Sequence, residues 1–122
     1  MTKTFVLGRC RSIVCAGAGV MHVIRTQRNA WVHLAASACV ILLGCTLRIS
    51  AGEWCWLVAA MGAVWVAEAL NTAVELLADA VMPRPPAHPL VGRAKDVAAG
   101  GVLLAAGMAA AIGVCVLGPH VV

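Results

Sequence analysis

At 122 residues the chain has room for one domain, and 62% hydrophobic with 11% charged is far from the roughly one-quarter charged residues of soluble proteins. The formal charge of +4 could suit nucleic acid or lipid, but the cations flank apolar runs with no aromatic residues interleaved. Lipid headgroups therefore explain the charge, and nucleic acid is not expected as a partner.

Residues 1–28 are interrupted by Lys3, Arg9, Arg11, Arg25 and Arg28, which leaves no clean apolar stretch for a cleaved signal peptide. At helical period, Phe5, Val6, Ile13, Val14, Val20, Val23 and Ile24 alternate with those cations. The pattern predicts an amphipathic helix lying on an anionic membrane surface. Three apolar runs follow, 29–47, 54–78 and 97–122, each long enough for a bilayer core of about 20 helical residues. Hydrocarbon offers no partner for backbone amides, so runs this continuous must be helical. The expected fold class is all-α and integral to the membrane: a surface helix over 1–28 and transmembrane helices over 29–47, 54–81 and 90–118, together one domain.

Five of the nine basic residues precede the first span, Arg48 follows it, and Arg84, Arg93 and Lys95 lie between the second and third spans. The positive-inside rule puts the N-terminus and the second link in the cytoplasm. Trp31, Trp54 and Trp56 fall near span ends, where interfacial aromatic anchors belong. Residues 48–52 form the turn of a helical hairpin. The second helix is stopped by Pro83, Pro85 and Pro86, which lack an amide donor and clash with a continuing helix.

The third span opens on the polar turns Val91-Gly-Arg-Ala-Lys-Asp96 and then becomes rich in alanine and glycine, a composition that permits close helix packing in lipid. Three short spans hardly enclose a site, so an oligomer is expected. The six cysteines contain no C-x-x-C pair and read as free buried thiols. His22 and His33 read as interfacial or hydrogen-bonded histidines rather than metal ligands.

The second helix carries the chemistry. At about 100° per residue, Glu68, Asn71, Glu75 and Asp79 share an arc of about 80°. Each carboxylate in a span costs about 2.5–3.5 kcal/mol to insert, which makes an intramembrane acid a functional hypothesis by default. Glu68 lies about 15 Å deeper than Asp79 by helical rise; Glu75 and Asp79 are near enough to the surface to be solvated. Hard oxygen ligands suit Mg²⁺, which takes one or two carboxylates together with substrate phosphates. Lys95 and Asp96 are expected at the depth of Asp79, where an ammonium can neutralise phosphate. There is no phosphate-cradling G-x-x-x-x-G-K-[ST] sequence, so a nucleotide would be held without a P-loop.

The run Glu68-Ala-Leu-Asn-Thr-Ala-Val-Glu75, with Asp79, His88-Pro-Leu and Ala94-Lys-Asp96, resembles the prokaryotic diacylglycerol kinase family, which includes undecaprenol kinases. The resemblance extends over about residues 12–113 and implies a homotrimer in the bacterial inner membrane, with active sites shared between subunits. It implies phosphorylation of a membrane lipid alcohol by ATP with Mg²⁺, through direct in-line transfer. By the same resemblance Glu68 is the general base, Asn71 positions the lipid or the γ-phosphate, and Glu75 binds the metal. Lys95 and Asp96 contact the nucleotide, and His88 lies in the loop that closes on it. Gln27 occupies the position of a family glutamate that also binds the metal. Either the site tolerates one carboxylate fewer, or the chain is a weakened or inactive relative that binds nucleotide or lipid. Pro86 and Ala87 also depart from the family pattern before His88. Undecaprenol and diacylglycerol both stand as substrates, with the undecaprenol branch nearer in pattern.

Overall fold

The computed structural model describes residues 2–84 and 88–122, with residues 2–5 as backbone only. Pro85, Pro86 and Ala87 lie outside the described residues, as do the side chains of Lys3 and Phe5. Among the described residues four helices follow one another: α1 (Thr2–Thr26), α2 (Arg28–Leu47), α3 (Ala51–Val81) and α4 (Pro89–Val121). All four are long and apolar enough to cross a membrane, α1 through its stretch Val6–Thr26. Large apolar side chains such as Val6, Ile13, Leu42, Leu70 and Leu104 lie on the outside, as expected where hydrocarbon rather than water is the solvent.

Gln27 alone separates α1 from α2. Its backbone is extended, with φ −95° and ψ 121°, yet its N–H still donates to Val23 O at 2.9 Å and its carbonyl accepts from Ala30 N at 3.2 Å. The chain therefore bends between two helices without losing its backbone bonds. Glutamine is a poor cap compared with Ser, Thr, Asp or Asn, and the Gln27 side chain makes no capping bond.

The α2–α3 hairpin is tighter than the sequence suggests. Helix α3 starts at Ala51 rather than Trp54, because Ser50 and Glu53 form a capping box: Glu53 N donates to Ser50 Oγ at 3.3 Å and Ser50 N donates to Glu53 Oε2 at 2.7 Å. Two backbone donors are thereby satisfied at the start of the helix. Arg48 takes the left-handed conformation, φ 52°, that commonly ends a helix. Gly44 is buried beneath Trp54, and a Cβ there would lie 2.7 Å from the indole ring. Trp54 is thus a packing residue as well as an interfacial one, whereas Trp31 and Trp56 face outward.

Helix α4 starts one residue earlier than expected, at Pro89, and continues to Val121. It packs along α3 more extensively than any other pair of helices. Ile49, Leu57 and Leu117 form the apolar core at the hairpin end, where His120 Nε2 also meets Glu53 Oε1 at 2.6 Å. The glycines expected to bring helices together, Gly100, Gly101, Gly107 and Gly113, have open space where a Cβ would be. Their close-packing role is not used within one chain. The six cysteines are free, as expected, but exposed rather than buried.

Candidate active site

Antiparallel packing of α2 and α3 sets the site. The chain runs away from Gln27 along α2 and returns along α3, so residues a few turns up one helix meet residues the same distance back on the other. Three contacts follow this register: Gln27 with Glu75, His33 with Glu68, and Ser37 with Trp65. Six residues separate Gln27 from His33 and seven separate Glu68 from Glu75, or about 9 and 10.5 Å of helical rise. The two levels of the site are therefore stacked one above the other.

At the outer level, Glu75 gathers two amides. Gln27 Nε2 donates to its Oε2 at 3.4 Å, and Asn71 Nδ2 donates to its Oε1 at 3.5 Å. The missing cap on α2 is now explained, because the Gln27 side chain turns to Glu75 instead. Asn71 is buried, and its Oδ1 has no hydrogen-bond partner among the described residues.

At the deeper level, Glu68 is 0% exposed and Thr72 is 2% exposed. Thr72 Oγ1 donates to Glu68 O at 2.9 Å, a local bond that satisfies the hydroxyl and leaves the carboxylate alone. Glu68 Oε2 lies 3.6 Å from His33 Nε2, beyond hydrogen-bond length. Among the described residues both carboxylate oxygens and that ring nitrogen are buried without a hydrogen-bond partner, an arrangement that costs several kcal/mol, about 2–7 per polar group, unless something closes on it. His33, expected to be interfacial or hydrogen-bonded, faces this acid with its own side chain 15% exposed. The imidazole also meets the Trp65 ring edge-on, with centroids 6.4 Å apart, and Trp65 Nε1 donates to Ser37 Oγ at 3.4 Å.

The charged residues beyond this cluster sit nearer the end of the helices. Lys95 Nζ contacts Asp79 Oδ1 at 3.2 Å, with both side chains substantially exposed. Asp96 is exposed on the next position of α4. His88 is exposed and caps α4: its Nδ1 accepts from Leu90 N at 3.2 Å. The structure therefore brings Gln27, Asn71 and Glu75 together, sets Glu68 opposite His33, and leaves Lys95, Asp96 and His88 outside both groups, at the start of α4.

Three clefts adjoin the cluster. One of about 260 Å³ lies between α2, α3 and α4, with Asn29, His33, Asn71 and Ala99 in its walls. A second, of about 760 Å³, runs between α3 and α4 from Arg93 past Asn71 to Gly101. A third, about 730 Å³ and almost wholly apolar, has His33 at one end and extends toward Leu117. Asn71 lines the first two and His33 the first and third, while Glu68 lines none of them.

Among the described residues no group of three or more His, Cys, Asp or Glu side chains could hold a metal ion by itself. The donors around Glu75 do fit Mg²⁺ in a more limited way. One carboxylate flanked by two amides, one with an unpartnered oxygen, supplies hard oxygen ligands for an ion that completes its shell with phosphate and water. Glu75 and Gln27 would hold it, Gln27 by turning its amide oxygen inward.

Residues 14–117 match the prokaryotic diacylglycerol kinase family. The chain belongs to that family. It is therefore a lipid kinase, and its four apolar helices make it a multi-pass membrane protein. It is 36% identical over 109 residues to the undecaprenol kinase of Bacillus subtilis (strain 168), an alignment covering 89% of this chain and 87% of that one. It is 38% identical over 104 residues to the diacylglycerol kinase of Synechocystis sp. (strain ATCC 27184 / PCC 6803 / Kazusa), covering 85% of this chain and 59% of that relative's length.

Proposed function

We propose that this lipid kinase transfers the γ-phosphoryl group of ATP, with Mg²⁺, directly to the hydroxyl of a membrane lipid alcohol, and that undecaprenol is the preferred acceptor. One observation carries the reading of the site: Glu75, held by two amides, is stacked one level above a fully buried acid, Glu68. In-line transfer requires two such places, one for phosphate charge and one for the proton that leaves the alcohol. The substrate preference is supported by the undecaprenol kinase relative, which matches nearly end to end.

In this mechanism Glu75 and Gln27 would hold the metal, which would supply charge neutralisation for the phosphates when bound. Asn71, between two clefts, orients the reacting groups; Lys95 and Asp96 contact the nucleotide; His88 lies on the loop beside it. Glu68 receives the alcohol proton as general base. Positioning supplies the rest of the acceleration, since no covalent intermediate is needed.

The membrane arrangement belongs to the same proposal. Helix α1 lies on the cytoplasmic surface of the inner membrane, α2 to α4 span it, and the N-terminus is cytoplasmic. Three copies associate and complete one another's sites; the glycines of α4, which have open space at the Cβ position, are available for that contact.

The test is transfer of labelled phosphate from Mg·ATP to a panel of lipid alcohols by the purified protein in lipid. Turnover that is highest on undecaprenol, and lost in Glu68→Gln, is the expected result. A second reading is favoured by Gln27, which brings no charge to the metal: a relative that binds nucleotide or lipid without turnover. No turnover on any alcohol, with nucleotide binding retained, would establish it.

A further inference from the structure

We propose that His33 is a catalytic residue, carrying the proton from the lipid hydroxyl to Glu68. This rests on the kinase reading above and gives the route by which its general base is reached. Glu68 is closed off, 0% exposed and absent from the walls of the three clefts described above. A hydroxyl held in those clefts cannot touch it. His33 is the side chain that does both things: it lines two of the clefts, and its Nε2 lies 3.6 Å from Glu68 Oε2.

The pair has the marks of a relay rather than of a packing contact. Among the described residues His33 Nε2 and both oxygens of Glu68 are buried without a hydrogen-bond partner, and they face one another at 3.6 Å. A shift of a few tenths of an ångström would bring them to hydrogen-bond length, and catalytic bonds are often long before substrate is bound. Trp65 against the ring, itself tied to Ser37, restrains the imidazole in this orientation. From α4 the shared cleft receives only Ala99, Val102, Leu103 and Ala106, none of which can accept a proton.

The step balances as follows. The alcohol oxygen forms its bond to the γ-phosphorus as the bond from that phosphorus to the departing ADP oxygen breaks. The alcohol O–H bond breaks, and its proton goes to the ring nitrogen of His33 that faces away from Glu68. The Nε2 proton passes to Glu68 Oε2. Histidine ends neutral, in its other tautomer, and Glu68 ends protonated.

The experiment compares the wild type, His33→Ala, His33→Gln, Glu68→Gln and the double variant H33A/E68Q as full chains in lipid, with Mg·ATP and undecaprenol or diacylglycerol. His33→Ala should lower kcat by about 100-fold, the usual scale of a lost proton-transfer group, and leave KM for ATP within about twofold. Added imidazole and methylimidazoles should restore part of the rate, in the order of their basicity. The double variant should be no slower than Glu68→Gln, because residues that act as a unit are not additive. If His33→Ala fails to fold, His33→Asn, closer in shape, is read by the same criteria. Full activity in the His33 variant, no response to any imidazole, or recovery in His33→Gln, which can donate but not relay, each overturns the relay and leaves Glu68 untouched. A wild type without turnover on either alcohol overturns the relay and the kinase reading together.

Discussion

Gln27 Nε2 donates to Glu75 Oε2 across 3.4 Å, joining the residue that separates α1 from α2 to the acid on α3 that we assign to the metal. An amide here holds a carboxylate that would otherwise repel a second one, so the site is settled without an ion. Gln27→Glu reverses that balance. Two facing carboxylates should lower the midpoint of thermal unfolding in chelator, while the Mg²⁺ concentration for half-maximal turnover should fall by about tenfold, the scale on which changes in the groups around a metal alter its affinity. Both are read by titrating Mg²⁺ at saturating ATP and by melting the protein with and without it. Unchanged Mg²⁺ dependence would remove Gln27 from the metal site.

Glu68→Gln tests the deeper acid without altering its shape. Turnover should fall by about 10²- to 10⁴-fold, as for other lost general bases, while the protein gains thermal stability, because an unpartnered buried acid becomes a neutral amide with donors of its own. The measurement is turnover beside a melting curve in the same lipid. Loss of activity accompanied by loss of fold would argue that Glu68 is structural.

How far the sequence predicted this arrangement can be read from particular residues. The polar arc of Glu68, Asn71 and Glu75 was legible because helical period alone puts them on one face, and the helices were legible because a bilayer core demands them. His33 was not. Its partner is 35 positions away on another helix, and only the register of the hairpin, set by Arg48 and the Ser50 cap, brings the two together. The start of α3 was misjudged for a related reason: the Trp-Cys-Trp run drew the boundary inward, whereas Ser50 and Glu53 carry the S-x-x-E capping signature three residues apart. The character of α1 lay beyond composition, since the same helix has cations enough for a surface and apolar length enough for a span.

Ser50→Ala probes that cap apart from the chemistry. It removes the acceptor for Glu53 N and should cost about 1 kcal/mol of stability, seen as a lower melting temperature. The site lies at the opposite end of the helices, so turnover at moderate temperature should remain within twofold of wild type. A larger loss of activity would show that the hairpin end is coupled to the site.

Lys95 and Asp79 separate charge that binds from charge that merely sits at the surface. Their contact is 3.2 Å long, yet the two side chains are 40% and 72% exposed, and solvated pairs of this kind contribute about 0–1 kcal/mol. Asp79→Asn should therefore leave stability within that range and turnover close to normal, or slightly higher as the ammonium is freed. Lys95→Met should behave differently if the ammonium meets nucleotide phosphate in the working enzyme. Removing a charge-assisted bond raises KM for ATP by about tenfold or more, with little change in the acceptor alcohol's KM, and the penalty should shrink when salt already screens the mouth of the site. Steady-state kinetics with each substrate varied in turn distinguish the two residues. Equal effects from Asp79→Asn and Lys95→Met would mean that the pair acts as one structural unit, and that the phosphate is neutralised elsewhere.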